Sequence, residues 1–79
     1  MQIHIAYFAI LREQAGVSEE TRETDAQTPA ALFAEIANAH HLHAPKESLR
    51  VAVNESFAEW DRPLQDGDTV AFLPPVAGG

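Results

Sequence analysis

The amino-acid sequence predicts an α+β domain of two layers, in which a small mixed sheet carries one main helix across one face. Segments that alternate apolar and polar residues, typical of strands, occur at the start, in the middle and near the end of the chain. Between them lies one longer segment with apolar residues at helical spacing. A chain of 79 residues can bury one modest core, so we expect a single domain.

The first part of the chain predicts a strand, a short helix and a second strand. Residues 2–8 alternate between two faces and are rich in β-branched and aromatic side chains. Good helix formers follow over residues 9–15, and Gly16 is a typical helix-terminating residue. Charged and polar residues dominate the segment 18–25, and such residues protect the edge strand of a sheet from unwanted pairing.

The main helix is predicted to begin at Thr28-Pro29 and to end near His40-His41. Threonine is a favoured N-cap, and proline is favoured in the first helical turn. The apolar residues that recur at helical spacing form one stripe: Leu32, Phe33, Ile36, Ala37 and Ala39 or His40.

The remaining residues predict two longer strands and three turns, the turns at residues 54–56, 61–64 and 66–68. A loop over residues 42–48 precedes a strand over 49–54, and a short apolar piece follows at 57–60. Asp66-Gly67-Asp68 is a strong turn signal before the last strand, residues 69–73. The predicted core collects the inward-facing apolar residues of these elements: Tyr7, Leu32, Ile36, Val51, Val53, Leu64, Val70 and Phe72.

Charge and composition exclude several classes of function. The net charge of −7 disfavours nucleic acid, and it favours a partner with a positive surface or simply solubility. The chain starts without a signal peptide and has no run of about 20 apolar residues, so we expect a cytoplasmic protein that crosses no membrane. It has no cysteine, so it can form no disulfide and cannot carry sulfur on a thiol of its own.

The body of the chain offers no ordinary active site. It has no glycine-rich phosphate loop and no thiol nucleophile. His40, His41 and His43 are the only metal-like cluster, but their spacing does not place all three on one helical face, so no metal site is expected. Asp66 and Asp68 flank a glycine and are interpreted as turn residues that bond the backbone.

The last residues supply the one reactive group. We expect a body over residues 1–73 and a protruding tail over 74–79, because Pro74-Pro75 ends strand pairing and stiffens the exit. Six extended residues reach about 20 Å, and Gly78 and Gly79 have no Cβ, so a narrow channel can admit them. Coupling the α-carboxylate of Gly79 to AMP would let a sulfur nucleophile displace AMP. The alternative is an ordinary frayed terminus.

Residue motifs along the chain resemble a known family. Tyr7-Phe8-Ala9, the segment Val51-Ala52-Val53-Asn54 and above all residues 64–79, ending in Pro-Pro-Val-Ala-Gly-Gly, resemble the small, sulfur-carrying subunit of molybdopterin synthase. That family has a ubiquitin-like β-grasp fold, and the similarity runs over nearly the whole chain.

The resemblance implies a mechanism and partners. An E1-like adenylating enzyme uses ATP to activate Gly79, and a sulfur donor protein supplies the sulfur of a terminal thiocarboxylate. The carrier then docks on the large subunit of molybdopterin synthase, and sulfur passes to cyclic pyranopterin monophosphate. The family works as a heterotetramer of two large and two small subunits. The small subunit is non-catalytic alone and holds no permanent cofactor, because the catalytic side chains belong to the large subunit.

Strand parity predicts a surface for these partners. If Tyr7 and Phe72 point inward, their neighbours Phe8 and Leu73 point away from the core. Exposed apolar, aromatic and arginine residues are typical of interfaces, and the family positions agree. The predicted contacts are Phe8, Arg12, Phe57, Leu73, Pro74, Pro75 and Val76. The alternative is that loops of the chain itself bury Phe8 and Leu73.

Three other functions stay open from the sequence. A sulfur carrier of thiamine synthesis and a ubiquitin-like modifier joined to lysines would share the fold and the Gly-Gly end. A plain β-grasp interaction module would share only the fold, and it would tolerate an added C-terminal residue. Pro74-Pro75 resembles the molybdopterin branch, because thiamine carriers usually lack this pair.

Overall fold

The computed structural model describes residues 1–75, in which five strands form one mixed sheet with two α-helices and one 3-10 helix between them. Every predicted helix and strand is present, and the predicted loop over 42–48 contains the 3-10 helix. The elements in chain order are β1 (Gln2–Tyr7), α1 (Ala9–Ala15), β2 (Glu19–Glu23), α2 (Pro29–His40), the 3-10 helix (Lys46–Ser48), β3 (Arg50–Val53), β4 (Ser56–Ala58) and β5 (Thr69–Leu73).

The last strand lies in the middle of the sheet. The strand order is β2-β1-β5-β3-β4, so β5 pairs with parallel β1 on one side and with antiparallel β3 on the other. The charged strand β2 is at one edge, as predicted, and short β4 is at the other. Because β1 and β5 run in the same direction, both end at one end of the sheet, which we call the Leu73 end.

Helix α2 covers one face of this sheet, and its boundaries follow from its caps. The side chain of Thr28 accepts a hydrogen bond from Ala31 N–H at 3.2 Å, and Pro29 occupies the first turn. The helix ends at His41, a left-handed residue (φ 55°) whose N–H donates to the carbonyl of Ala37. Of the predicted stripe, Ala39 is exposed and His40 is half-buried.

The core lies between α2 and the sheet, and all eight predicted core residues are buried in it. Trp60, half-buried at the rim, stacks on Phe72 with the ring centroids 5.7 Å apart and so packs against the core. Five more apolar side chains complete the buried cluster: Ile3, Ile5, Leu11, Phe33 and Leu49.

The turn before β5 uses both of its aspartates to bond backbone, as predicted. Asp66 Oδ1 accepts from the N–H of Gln2, and Asp68 Oδ2 accepts from the N–H of Gln65 at 2.9 Å. Gly67 between them has φ 88°, a conformation that side chains other than glycine adopt at a cost. These carboxylates therefore position the start of β5.

A polar network ties β1, β2 and α2 together at the edge of the core. The buried Tyr7 hydroxyl donates to Glu20 Oε1 at 2.5 Å, and His40 Nε2 donates to the same oxygen at 2.9 Å. Arg22 Nε donates to Glu35 on α2, which also accepts from the hydroxyl of Thr24. The sequence analysis did not predict this network, although an inward-facing tyrosine needs a partner for its hydroxyl.

The network shifts the acidity of its members. Burial alone would raise the pKa of Glu20, but the hydrogen bonds from Tyr7 and His40 and the nearby charges outweigh burial and lower it. The hydrogen bond from Thr24 and the contact with Arg22 lower the pKa of Glu35. Burial, together with the hydrogen bond to Glu20, raises the pKa of the Tyr7 hydroxyl.

We expect the protein to lose stability in mild acid for this reason. Glu20 and Glu35 have lower pKa values when folded than their ordinary 4.5. When the pH falls below 4.5, the unfolded chain binds more protons than the folded chain. The stability that both carboxylates contribute is therefore fully present above pH 4.5, and it is lost as the pH falls through the pKa values of the folded protein. Thermal unfolding followed by circular dichroism from about pH 7 to about pH 3 measures this loss.

Variants test which carboxylates are responsible. In the Glu20→Gln and Glu35→Gln variants, the melting temperature should fall less steeply as the pH is lowered. Glu47→Gln, at an exposed position before β3, should keep the wild-type dependence of melting temperature on pH. Equal slopes in all four proteins would assign the acid sensitivity to other groups.

Candidate functional site

The face of the sheet opposite α2 carries three of the residues predicted to contact partners. Phe8 is extended and continues the alternation of β1 by one residue, and 45% of its surface is exposed. Phe57 on β4 is 65% exposed, and Leu73 is half-buried. Their inward neighbours Tyr7 and Phe72 are buried. The parity prediction is confirmed, and the alternative that loops bury these side chains is wrong for Phe8.

Strand register places these side chains beside one another at the Leu73 end. Tyr7 is paired with Phe72, so the next residues, Phe8 and Leu73, are neighbours on the open face. Leu73 is in turn paired with Arg50 of β3. Three segments that are distant in sequence therefore form one row across the sheet.

A second row beside the first one is made largely of alanine. Ala6 is paired with Ala71, Ala71 with Ala52, and Ala52 with Phe57. The three alanines are half-buried, and their small side chains leave a shallow depression between the larger side chains of Phe8 and Phe57. We call this surface, made of Phe8, Leu73, Phe57 and the three alanines, the apolar face.

The next row of the same face is polar. His4 is paired with Thr69, and Thr69 exchanges hydrogen bonds with Asn54. The open side of the sheet thus changes from apolar at the Leu73 end to polar at the far end. Because large exposed apolar patches in soluble domains mark contact surfaces, the apolar face is the candidate binding site.

The chain leaves the sheet next to this site. Pro74 is half-buried and Pro75 is exposed, and β5 ends at Leu73 as predicted. Since β5 is the central strand and is paired on both sides, the residues that follow Pro75 in the sequence are attached to a strand held by two neighbours. Val76, Gly78 and Gly79 lie outside the described residues, so the tail over 74–79 and the contact of Val76 stay predictions.

Two exposed apolar side chains were missed by the sequence reasoning. Tyr7 N–H donates to the carbonyl of Ser18 at 2.9 Å, which extends the β1–β2 register and places Val17 beside Phe8. Val17 is 42% exposed, and Ile10 on α1 is 45% exposed. The apolar run in helix α1 was a signal for Ile10, but the position of Val17 depends on the register alone.

Arg12 and the three histidines of the predicted cluster lie outside the strands of the sheet. Arg12 is exposed on α1, and its role as a partner contact stays a prediction. Within residues 1–75, no three side chains of histidine, cysteine or acidic type are grouped as metal ligands would be, and His40 is engaged with Glu20. The helices in the same range are too short and too polar to span a membrane.

The fold and the site define a class of protein. A sheet of order β2-β1-β5-β3-β4, with α2 across one face and the carboxyl-terminal strand in its centre, is the ubiquitin-like β-grasp arrangement. A solved structure described as a molybdopterin converting factor subunit 1 of Pyrococcus furiosus superposes with a TM-score of 0.79 at 31% identity, covering 96% of this chain and 99% of that one. The predicted fold class is thereby confirmed.

The ThiS family matches residues 5–79, and the chain belongs to that family. It is 42% identical to a protein of Chlamydomonas reinhardtii named molybdopterin synthase sulfur carrier subunit, with both chains covered to 100%. A further β-grasp chain, from a complex of subunits 1 and 2 of the molybdopterin-converting factor of Helicobacter pylori, has a TM-score of 0.71 at 24% identity, with both chains covered to 100%. The family resemblance predicted from the sequence is confirmed.

Proposed function

We propose that this protein is the sulfur carrier of molybdopterin synthesis. It delivers sulfur from the carboxyl terminus of Gly79 to cyclic pyranopterin monophosphate, bound in the large subunit of molybdopterin synthase. The observation that carries the proposal is the position of the apolar face, directly beside the end of the central strand from which Pro74-Pro75 leads to Gly78-Gly79.

The relatives support both the pathway and the partner. The Chlamydomonas reinhardtii protein, similar over its full length, is named a sulfur carrier subunit of the synthase. The Helicobacter pylori chain with the same fold comes from a complex of the two subunits of the converting factor. We infer that a second, larger subunit covers the apolar face of this chain, as a hydrophobic patch at a sheet surface requires.

The chemistry assigned to Gly79 takes place on the backbone terminus. A carboxylate oxygen of Gly79 attacks the α-phosphorus of ATP in the adenylating enzyme, and pyrophosphate leaves. A sulfur nucleophile at the sulfide level, supplied by a donor protein, then attacks the acyl carbon, and AMP leaves with the bonding pair. In the large subunit the thiocarboxylate sulfur attacks a carbon of the pterin substrate and displaces the oxygen substituent of that carbon, which leaves with the bonding pair. Water then cleaves the acyl–sulfur bond, which leaves the sulfur on the pterin and restores the carboxylate of Gly79.

The body of this chain supplies binding and positioning, and other proteins supply the catalytic groups. The carboxylates of the described body with lowered pKa values, Glu20, Glu35 and Asp68, are held in hydrogen bonds that stabilise the fold. A glycine terminus needs a rigid attachment to reach a remote active site, and the doubly paired β5 provides it. The adenylating enzyme and the large subunit would use the same apolar face in turn.

Intact-mass measurement tests the chemistry. The chain is incubated with an adenylating enzyme of the molybdopterin pathway, ATP and a sulfide donor. We expect a mass increase equal to the replacement of one oxygen by one sulfur, which depends on ATP and localises to the C-terminal peptide. Addition of the large subunit and its pterin substrate should return the mass to its original value.

The same experiment separates the other candidate functions. Activation only by an adenylating enzyme of the thiamine pathway would assign the chain to that pathway. Formation of an amide with lysines of other proteins would indicate a modifier. An unchanged mass with every activating enzyme would leave only an interaction module and would end the proposal.

A further inference from the structure

One arginine of the open sheet face has no role in the fold or in the proposed function. Arg50 is the first residue of β3 and lies in the row that contains Leu73 and Phe8. Its guanidinium carbon is 4.4 Å from the centroid of the Phe57 ring, and Phe57 is the most exposed large apolar residue in the described part of the chain. Arg50 is therefore held on the apolar face by the aromatic ring beside it.

Arg50 makes no ion pair with another residue in the range 1–75. Among residues 1–75, the amino terminus of Met1 pairs with Glu23. Arg22 pairs with both Glu20 and Glu35, and His40 pairs with Glu20, so none of these ion pairs includes Arg50. This is notable in a chain with a net charge of −7. The neighbouring Glu59 is exposed, yet it makes no ion pair with Arg50.

A guanidinium that lies on an aromatic ring still offers its in-plane N–H groups. These donors form a planar fork that matches the two oxygens of a carboxylate. The ring beneath already restricts the arginine side chain, so less conformational entropy is lost when a carboxylate binds. A groove of about 320 Å³ is lined by Arg50 and Phe57 together with Ala58, Glu59 and Trp60 among others. The site can therefore accept a charged partner side chain together with the apolar group next to it.

We propose that Arg50 recognises a carboxylate on the large subunit and so sets the register in which the two proteins dock. This inference rests on the proposed function, because it takes the large subunit as the occupant of the apolar face. Charge complementarity argues for a carboxylate: a cation enclosed by a partner must find an opposite charge, since an unpaired buried charge opposes binding. Arg50 would thus add specificity to a surface whose apolar groups are not selective.

Titration calorimetry with the purified large subunit tests the proposal. We expect Arg50→Gln to weaken binding about 10-fold and Arg50→Glu about 100-fold, because the first removes the attraction and the second adds repulsion. Arg50→Lys should fall between wild type and Arg50→Gln, since lysine keeps the charge but not the planar fork. Arg62→Gln removes the same charge from the turn near Asp68, away from the apolar face, and should bind like wild type.

Two further measurements separate charge recognition from packing. Arg50→Met keeps an apolar cover over Phe57, so wild-type affinity of this variant would overturn the proposal. Replacing the partner's recognised carboxylate by lysine should restore binding to Arg50→Glu, and failure of every such replacement near the contact would also overturn it. If wild type itself does not bind the large subunit, the proposed function fails; if wild type binds and Arg50→Gln binds equally well, only the role of Arg50 fails.

Discussion

Deletion of Gly79 is expected to abolish thiocarboxylate formation and to leave the fold intact. The reacting carboxylate would then belong to Gly78 and would sit one residue, about 3.5 Å, short of the activating site. A displacement of about 1 Å can already reduce a reaction about 100-fold, so the loss should be at least that large. The buried core spans Ile3 to Phe72, so the melting temperature should not change.

Addition of one alanine after Gly79 should have the same effect as the deletion. The carboxylate then moves too far and gains a Cβ, which a channel shaped for glycine excludes. Ala77→Ser keeps the length and the terminal glycines and is the matched control, for which normal conversion is expected. Full activity of the extended chain would instead favour the plain interaction module. The measurements are intact mass, molybdopterin formation and thermal unfolding.

Leu73→Asp is expected to weaken binding to the large subunit by about 100-fold or more. Leu73 lies in the middle of the apolar face, between Phe8 and Arg50, and a carboxylate there would lose its water when the partner covers it. The change also places a negative charge beside Arg50, which would compete with the partner for that cation. The affinity can be measured by titration calorimetry.

The same strand offers a closely matched control for Leu73→Asp. Thr69 points to the same side of β5 but lies at the polar end of the face, beside His4. Thr69→Asp adds an identical charge there, and we expect nearly unchanged affinity. Equal losses in the two variants would mean that overall charge rather than the apolar face governs binding, and equal affinity of both with wild type would remove the apolar face as the docking surface.

The elements of the fold were predictable because their signals are local. Alternation identified β1, β3 and β5, and the caps Thr28 and Pro29 identified the start of α2. Neither the 3-10 helix nor strand β4 was predicted, because three residues carry too little periodicity. The contribution of Leu11 to the core was also missed, since a helix as short as α1 has no clear apolar stripe.

The candidate site was predictable only in part. Parity along β1 and β5 correctly turned Phe8 and Leu73 outward, because adjacent side chains of a strand point to opposite faces. Parity does not reveal which outward residues meet. Val17 comes to lie beside Phe8, and Arg50 beside Leu73, through strand pairing, so the pattern along any one strand could not have found them.

The sequence by itself determined the four longer strands, the two α-helices and the inward and outward sides of β1, β3 and β5, and it is the basis on which the chemistry of the Gly78-Gly79 end is proposed. Each of these depends on neighbouring residues alone. The tertiary structure decided that β5 is the central strand and that Phe8, Leu73 and Phe57 form one surface with Arg50 above the ring of Phe57. Strand order and register depend on which distant segments bury their apolar sides together, and that is a property of the whole core.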